Sequence, residues 1–151
     1  MIQRIQTVYL ALAILMMVAC CCLPLAEFEP VGMGFPAAMY SLVMLNSDGS
    51  IMSYLPCVLF AVTLIIELTL IFAIMGYGNR KSQMRKCCVA MTFEVLWLVC
   101  YAALSMMLKG DATFHPCFAS CLPLIAFVLT ILARRGIKKD DELVRSADRI
   151  R

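Results

Sequence analysis

The chain has 151 residues, of which 63% are apolar and 15% charged, with a net charge of +3. That length suffices for one domain. A soluble domain usually carries about a quarter charged residues, so lipid is the expected solvent, and a charge excess this small does not point to nucleic acid.

A helix needs about 20 mostly apolar residues to cross a bilayer. Four stretches meet that requirement, at 7–26, 54–75, 87–108 and 114–133. The first is free of charge from Val8 onward. Glu67 interrupts the second and Glu94 the third, and His115 sits at the edge of the fourth. Lipid cannot satisfy an open backbone, so each stretch is expected to be helical. Pro24, Pro56, Pro116 and Pro123 fall near the ends that face one side, where the first turn of a helix lacks internal donors anyway. Pro123 lies deepest and is expected to kink the fourth helix. A soluble helical bundle is the competing reading, but core helices rarely need apolar runs beyond about 10–14 residues. Arg4 followed by an apolar run also resembles a secretory signal, and Met17-Val18-Ala19-Cys20 approximates a lipoprotein cleavage site. Met17 is a poor residue there, and the run continues past Cys20, so an uncleaved anchor is expected.

The basic residues are unequally shared between the segments that flank these stretches. Arg4 precedes the first, and Arg80, Lys81, Arg85 and Lys86 lie between the second and third. Arg134, Arg135, Lys138, Lys139, Arg145, Arg149 and Arg151 follow the fourth. Of the 13 basic residues only Lys109 lies on the other side, with Glu27, Glu29, Asp48 and Asp111. Short segments rich in Lys and Arg stay in the cytoplasm, which puts both termini and the middle loop inside.

The external loop at 27–53 carries strand formers from Met39 to Leu45, the turn signal Asn46-Ser47-Asp48-Gly49, and a return segment Ser50 to Tyr54. This reads as a short β-hairpin, which is marginal in water unless it lies on helix ends or a partner. The expected architecture is an all-α membrane protein. Four transmembrane helices form an up-down-up-down bundle over 1–133, with the small hairpin outside and a basic, helical cytoplasmic tail at 134–151. In that tail Asp141 attracts Arg145 four residues on, while Arg145 and Arg149 repel. The basic residues Arg80, Lys81, Arg85, Lys86, Arg134, Arg135, Lys138 and Lys139 are candidates for lipid headgroups. The plainer reading is a solvated surface that fixes topology.

Three segments together carry a resemblance. They are Met-Ile-Gln-Arg-Ile-Gln-Thr-Val-Tyr-Leu at 1–10, Asn79-Arg80-Lys81-Ser82-Gln83-Met84-Arg85, and Leu143-Val144-Arg145-Ser146-Ala147-Asp148-Arg149-Ile150-Arg151. The chain resembles, over its whole length, a family of small inner-membrane proteins of Bacteroidota classed as domain of unknown function 4293. The resemblance implies a four-helix protein of a Gram-negative inner membrane and brings no activity, cofactor or site residues.

Glu67 and Glu94 lie on adjacent antiparallel helices, each roughly 10–12 Å below the expected cytoplasmic surface at 1.5 Å per residue. No Lys or Arg shares that depth. Facing carboxylates in low dielectric cannot both stay ionised, so the pair is a candidate proton or cation site. The plainer reading is a neutral acid hydrogen-bonded inside the bundle, with Thr63 available to Glu67 and with Trp97 and Tyr101 on the face of Glu94.

Cys20, Cys21, Cys22, Cys57, Cys117 and Cys121 fall toward the external ends, where bacteria keep an oxidising compartment and a disulfide or reactive thiol is conceivable. Buried cysteine is more commonly a small apolar residue, and the two-residue gap of redox motifs is absent. His115 beside Cys117 could begin a soft-metal site, but a lone histidine at a membrane boundary is more often an ordinary interfacial residue, and it cannot supply both axial ligands of a haem. No cofactor and no metal are implied, and there is no phosphate-binding glycine loop and no nucleophile beside a base. The expected function is an accessory or structural membrane subunit that contacts the lipid bilayer and another membrane protein or a second copy. A small proton- or cation-linked transporter comes next, and a thiol-redox enzyme is a distant third.

Overall fold

The computed structural model describes residues 3–30, 36–76 and 78–148. Arg149 and Arg151, counted above among the basic residues, lie outside them. Four helices organise the described residues: α1 (Gln3–Cys22), α2 (Cys57–Met75), α3 (Arg80–Lys109) and α4 (Leu122–Asp148). All four are long and apolar enough to cross a membrane. α1 packs chiefly on α4, α4 on α3, and α3 on α2, while α2 closes the ring onto α1 more loosely.

The inner seams are made by residues that recur every three or four positions. On α2 these are Leu59, Val62, Thr63, Ile66, Leu70 and Ala73. On α3 they are Gln83, Cys87, Ala90, Glu94, Trp97 and Leu104. The opposite faces carry exposed Leu64, Leu68, Phe72, Val95 and Val99. A bundle in water buries such side chains; one in lipid leaves them outside and spends its small and polar residues on the seams. Gly136 shows this at the α1–α4 crossing. A Cβ there would stand 2.9 Å from Gln6 Cγ, so glycine lets the two helices close. Gln6 Nε2 then donates to Asp140 Oδ2 at 2.8 Å across the same seam.

The expected hairpin is corrected by a larger structure, and the chain is not all-α. Among the described residues five antiparallel strands form one sheet in the order β4-β3-β2-β1-β5. They are β1 (Ala26–Glu29), β2 (Ala37–Met39), β3 (Met44–Asn46), β4 (Ile51–Ser53) and β5 (Thr113–Pro116). β3 and β4 turn through Asn46–Gly49, where Gly49 takes φ +78° and Asp48 Oδ1 accepts from both the Ser50 amide and its hydroxyl. Those bonds hold the Asp48 carboxyl below its usual range. The register shifts between Met44 and Leu45.

β5 is the strand that makes the sheet a clamp. Phe114–Pro116, expected to open the fourth helix, and Thr113, expected in the loop before it, pair with Ala26–Glu29 across the sequence. Ala26, Phe28, Ala37, Met39 and Met44 are buried beneath the sheet, and Phe28 meets Phe114 at 5.6 Å between ring centroids. The cause is chain economy. α1 ends and α4 begins at the same end of the bundle, so extended residues leaving one and entering the other can satisfy their backbone on each other. Pro116 closes β5, a 3₁₀ turn follows over Phe118–Cys121, and α4 starts at Leu122. Pro123 is therefore in the first turn of α4, where it removes no helical hydrogen bond, so the kink expected of it has no cause.

At the other end α2 and α3 are joined by a short turn. Asn79 Oδ1 caps α3 by accepting from the Ser82 amide at 3.1 Å, as an N-cap asparagine does. Lys86 Nζ donates to the Phe72 carbonyl at 2.8 Å and so terminates α2. α4 continues without a break through the basic residues 134–139, and Arg80 Nη1 donates to the Asp140 carbonyl at 2.8 Å.

Candidate functional site

The buried face of α3 carries a ladder of polar groups, each tied to a different neighbour. Tyr101, nearest the sheet, donates its hydroxyl to the Leu25 carbonyl at 3.1 Å. Trp97 stacks on Tyr101 with ring centroids 5.5 Å apart, and its Nε1 donates to Thr63 Oγ1 of α2 at 3.0 Å. Glu94, deeper in the bundle, lies 3.0 Å from Thr130 Oγ1 of α4. Trp97, Thr63, Glu94 and Thr130 have no exposed surface. Spacing on one helix explains the alignment, because residues three and four apart share a face.

The Glu94–Thr130 contact has an internal constraint. Thr130 Oγ1 also lies 2.9 Å from the Ala126 carbonyl. A hydroxyl has one proton to donate. If that proton goes to Ala126, the bond to Glu94 requires the carboxyl to carry its own proton and donate to Thr130. Glu94 is fully buried and no cation stands beside it among the described residues, so this neutral form satisfies more groups than the carboxylate does. Glu94 Oε2 has no hydrogen-bond partner among the described residues. An orphaned carbonyl oxygen of a neutral acid is a modest cost, and an orphaned half of a carboxylate a severe one. The geometry describes a buried acid with one free oxygen, able to hold a proton or to accept one further ligand.

Glu67 is placed differently. It lies on the flank of α2 beside the buried face and is only partly covered. Its neighbourhood is α1, where Cys21 lies within reach of its charge, whereas Glu94 is turned to α4. Thr63, expected as a partner for Glu67, instead accepts from Trp97 and donates to the Leu59 carbonyl at 2.9 Å. Thr130 is the residue that sequence reasoning passed over. It is the single polar side chain between Cys121 and Ala133, and an isolated hydroxyl in an apolar run was the available signal.

The cysteines cluster by end of the molecule but none is paired among the described residues. Cys20 is buried, Cys21 and Cys117 are half-buried, and Cys22, Cys57 and Cys121 are exposed. Burial pushes the Cys117 thiol up, with Glu27 adding to it. His115 lies on the outward face of the sheet, directly across from Glu27, with Nε2 3.7 Å from Glu29 Oε2. No group of three ligating side chains comes together among the described residues.

The basic residues gather at the end opposite the sheet. Arg80 and Lys86 are committed to backbone carbonyls and Lys138 to Glu142 at 3.8 Å. Lys81, Arg85, Arg134, Arg135 and Lys139 are exposed.

The model of the family Domain of unknown function (DUF4293) matches residues 2–150, and the chain belongs to that family. No curated protein matches it.

Proposed function

We propose that this member of the family is an accessory subunit of a membrane assembly in a bacterial inner membrane. The ends of the chain and the α2–α3 turn face the cytoplasm, and the sheet stands on the opposite surface. The one-sided distribution of Lys and Arg supports that orientation. The observation that carries the accessory role is the free edge of the sheet. Among the described residues β4 has a neighbour on one side only, and Ile51, Met52, Tyr54 and Leu55 on and just after it are about half or more exposed. Exposed edges are ordinarily blunted by charge or proline. β5, the other edge, ends on Pro116, while β4 carries neither. An apolar, unpaired edge fits a partner that adds a strand or lays an apolar surface there.

A photoreactive residue at Met52 tests this in native membranes. One discrete adduct is expected from Met52 and none from Lys81 at the far end of the molecule. The adduct should weaken when Ile51→Lys is added, because a charge on the edge opposes pairing. Equal smears from both positions, or no adduct from Met52, would remove the support for docking at β4.

A second reading follows from Glu94. Its buried carboxyl with one unpartnered oxygen suits a proton- or cation-linked role in a small transporter, since intramembrane acids commonly serve ion pathways. Substitution of Glu94 by Gln separates the two readings.

A further inference from the structure

A groove runs along the lipid-facing junction of α3 and α4, with a volume of about 380 Å³. Its walls are Cys88, Met91, Thr92 and Val95 of α3 and Phe127 and Arg134 of α4. The α3 residues follow one helical stripe, and Phe127 and Arg134 are two turns apart, so the groove extends roughly 10 Å along the bundle. Thr92 donates its hydroxyl to the Cys88 carbonyl at 3.0 Å, which leaves the trough apolar apart from the guanidinium at its mouth. Glu94 and Thr130, immediately behind the wall, are turned to each other and away from it.

We infer that this groove is a binding site for one anionic phospholipid, with an acyl chain along Met91, Val95 and Phe127 and the phosphate on Arg134. The inference rests on the membrane reading of the four helices. Three features favour this occupant. The trough opens to the side, where acyl chains are, and lies at the depth acyl chains occupy below the basic end. Arg134 is exposed and has no carboxylate partner among the described residues, unlike Lys138. A guanidinium can bind two phosphate oxygens at once, and basic pockets between transmembrane helices are recognised sites for anionic headgroups. A free phosphate would use Arg134 but leave the trough unfilled, and a zwitterionic lipid would fill the trough but gain less from the charge.

Native mass spectrometry of the full-length chain in detergent, with phosphatidylglycerol and phosphatidylcholine added in equal amounts, tests the site. One phosphatidylglycerol should be retained about tenfold over phosphatidylcholine, a difference of about 1.4 kcal/mol. The preference should vanish in Arg134→Gln and also in Val95→Trp, which fills the trough without touching the charge. Arg135→Gln should keep it. If Val95→Trp loses wild-type helicity, Thr92→Phe is the alternative filler. Retention lost in Arg134→Gln but untouched by either filler would overturn the groove and leave only surface attraction. Equal retention in all variants would overturn the site altogether. So would competition by glycerol 3-phosphate at the lipid's own concentration, which would mark a headgroup-only site. Extraction of the chain from membranes without detergent would instead count against the membrane reading itself.

Discussion

Trp97→Ala is expected to destabilise the bundle by about 3 kcal/mol. Trp97 is fully buried, and truncation leaves a void that neighbouring rings cannot fill. At roughly 24 cal/mol per Å³ of cavity, the lost volume of an indole accounts for a change of that size. With the bundle in lipid, as proposed, the transfer part of the usual cost is absent, because acyl chains are as apolar as the core, but the packing part remains. The Thr63 hydroxyl loses its donor as well. Reversible unfolding in bicelles or mixed micelles measures the change. Trp97→Phe should recover most of the packing and forfeit only the hydrogen bond, worth about 0.6 kcal/mol on average between membrane helices. A cost below about 1 kcal/mol for Trp97→Ala would mean that the α2–α3 seam is not closed as described.

The second large effect belongs to Glu94, and two substitutions have opposite outcomes. Glu94→Gln should change stability by less than about 1 kcal/mol. The amide keeps the size of a neutral acid, its NH₂ can donate to Thr130 Oγ1, and its carbonyl replaces the unpartnered oxygen. Glu94→Lys places a charge in the bundle with no carboxylate to meet it, and a central lysine costs about 2.5–3.5 kcal/mol by insertion scales. Expression, insertion and unfolding of the two variants should therefore diverge. If the protein carries a proton or cation, Glu94→Gln abolishes that activity at normal stability; if the acid only joins α3 to α4, it does not. Glu67→Gln should be nearly silent in both respects, since Glu67 is partly exposed on a different flank. Severe destabilisation by Glu94→Gln would contradict the neutral acid.

The helices were legible because their signal is local. Val8 to Cys22 or Cys57 to Met75 is apolar without a break long enough to matter, and lipid leaves a backbone few alternatives to helix. The sheet was not legible, for a matching reason. β1 is four residues, Ala-Glu-Phe-Glu, and β5 is Thr-Phe-His-Pro. β5 has no local partner, and its pairing with β1 joins segments separated by most of the chain, while β1 meets its nearer partner β2 over only three residue pairs. Phe114–Pro116 also border an apolar run, so hydropathy assigned them to the helix that follows. Only the turn residues Asn46-Ser47-Asp48-Gly49 announce themselves, because a tight turn is encoded by its own four positions.

The candidate site was half legible. A carboxyl in an apolar run stands out, and helical spacing put Trp97 and Tyr101 on the face of Glu94. The rotational setting of α2 against α3 did not follow from either helix alone. Both helices are apolar on their outer faces as well as on their seams, so hydropathy barely distinguishes the inner face from the outer one. Thr63 was accordingly assigned to Glu67 by proximity in sequence, whereas packing gives it to Trp97. Gly136 could be read only after α1 and α4 were brought together, since the atom it makes room for belongs to Gln6.

Four helices are proposed to cross the membrane, with the sheet on one side and the basic end on the other. A cysteine-free chain with Ser47→Cys or Lys81→Cys, probed with a membrane-impermeant maleimide, tests it most directly. Ser47 lies in the exposed β3–β4 turn and Lys81 at the exposed start of α3. The account predicts labelling at position 47 once the outer membrane is opened, and at position 81 only after the inner membrane is permeabilised. Labelling of position 81 in sealed cells, or of both positions together, would contradict it.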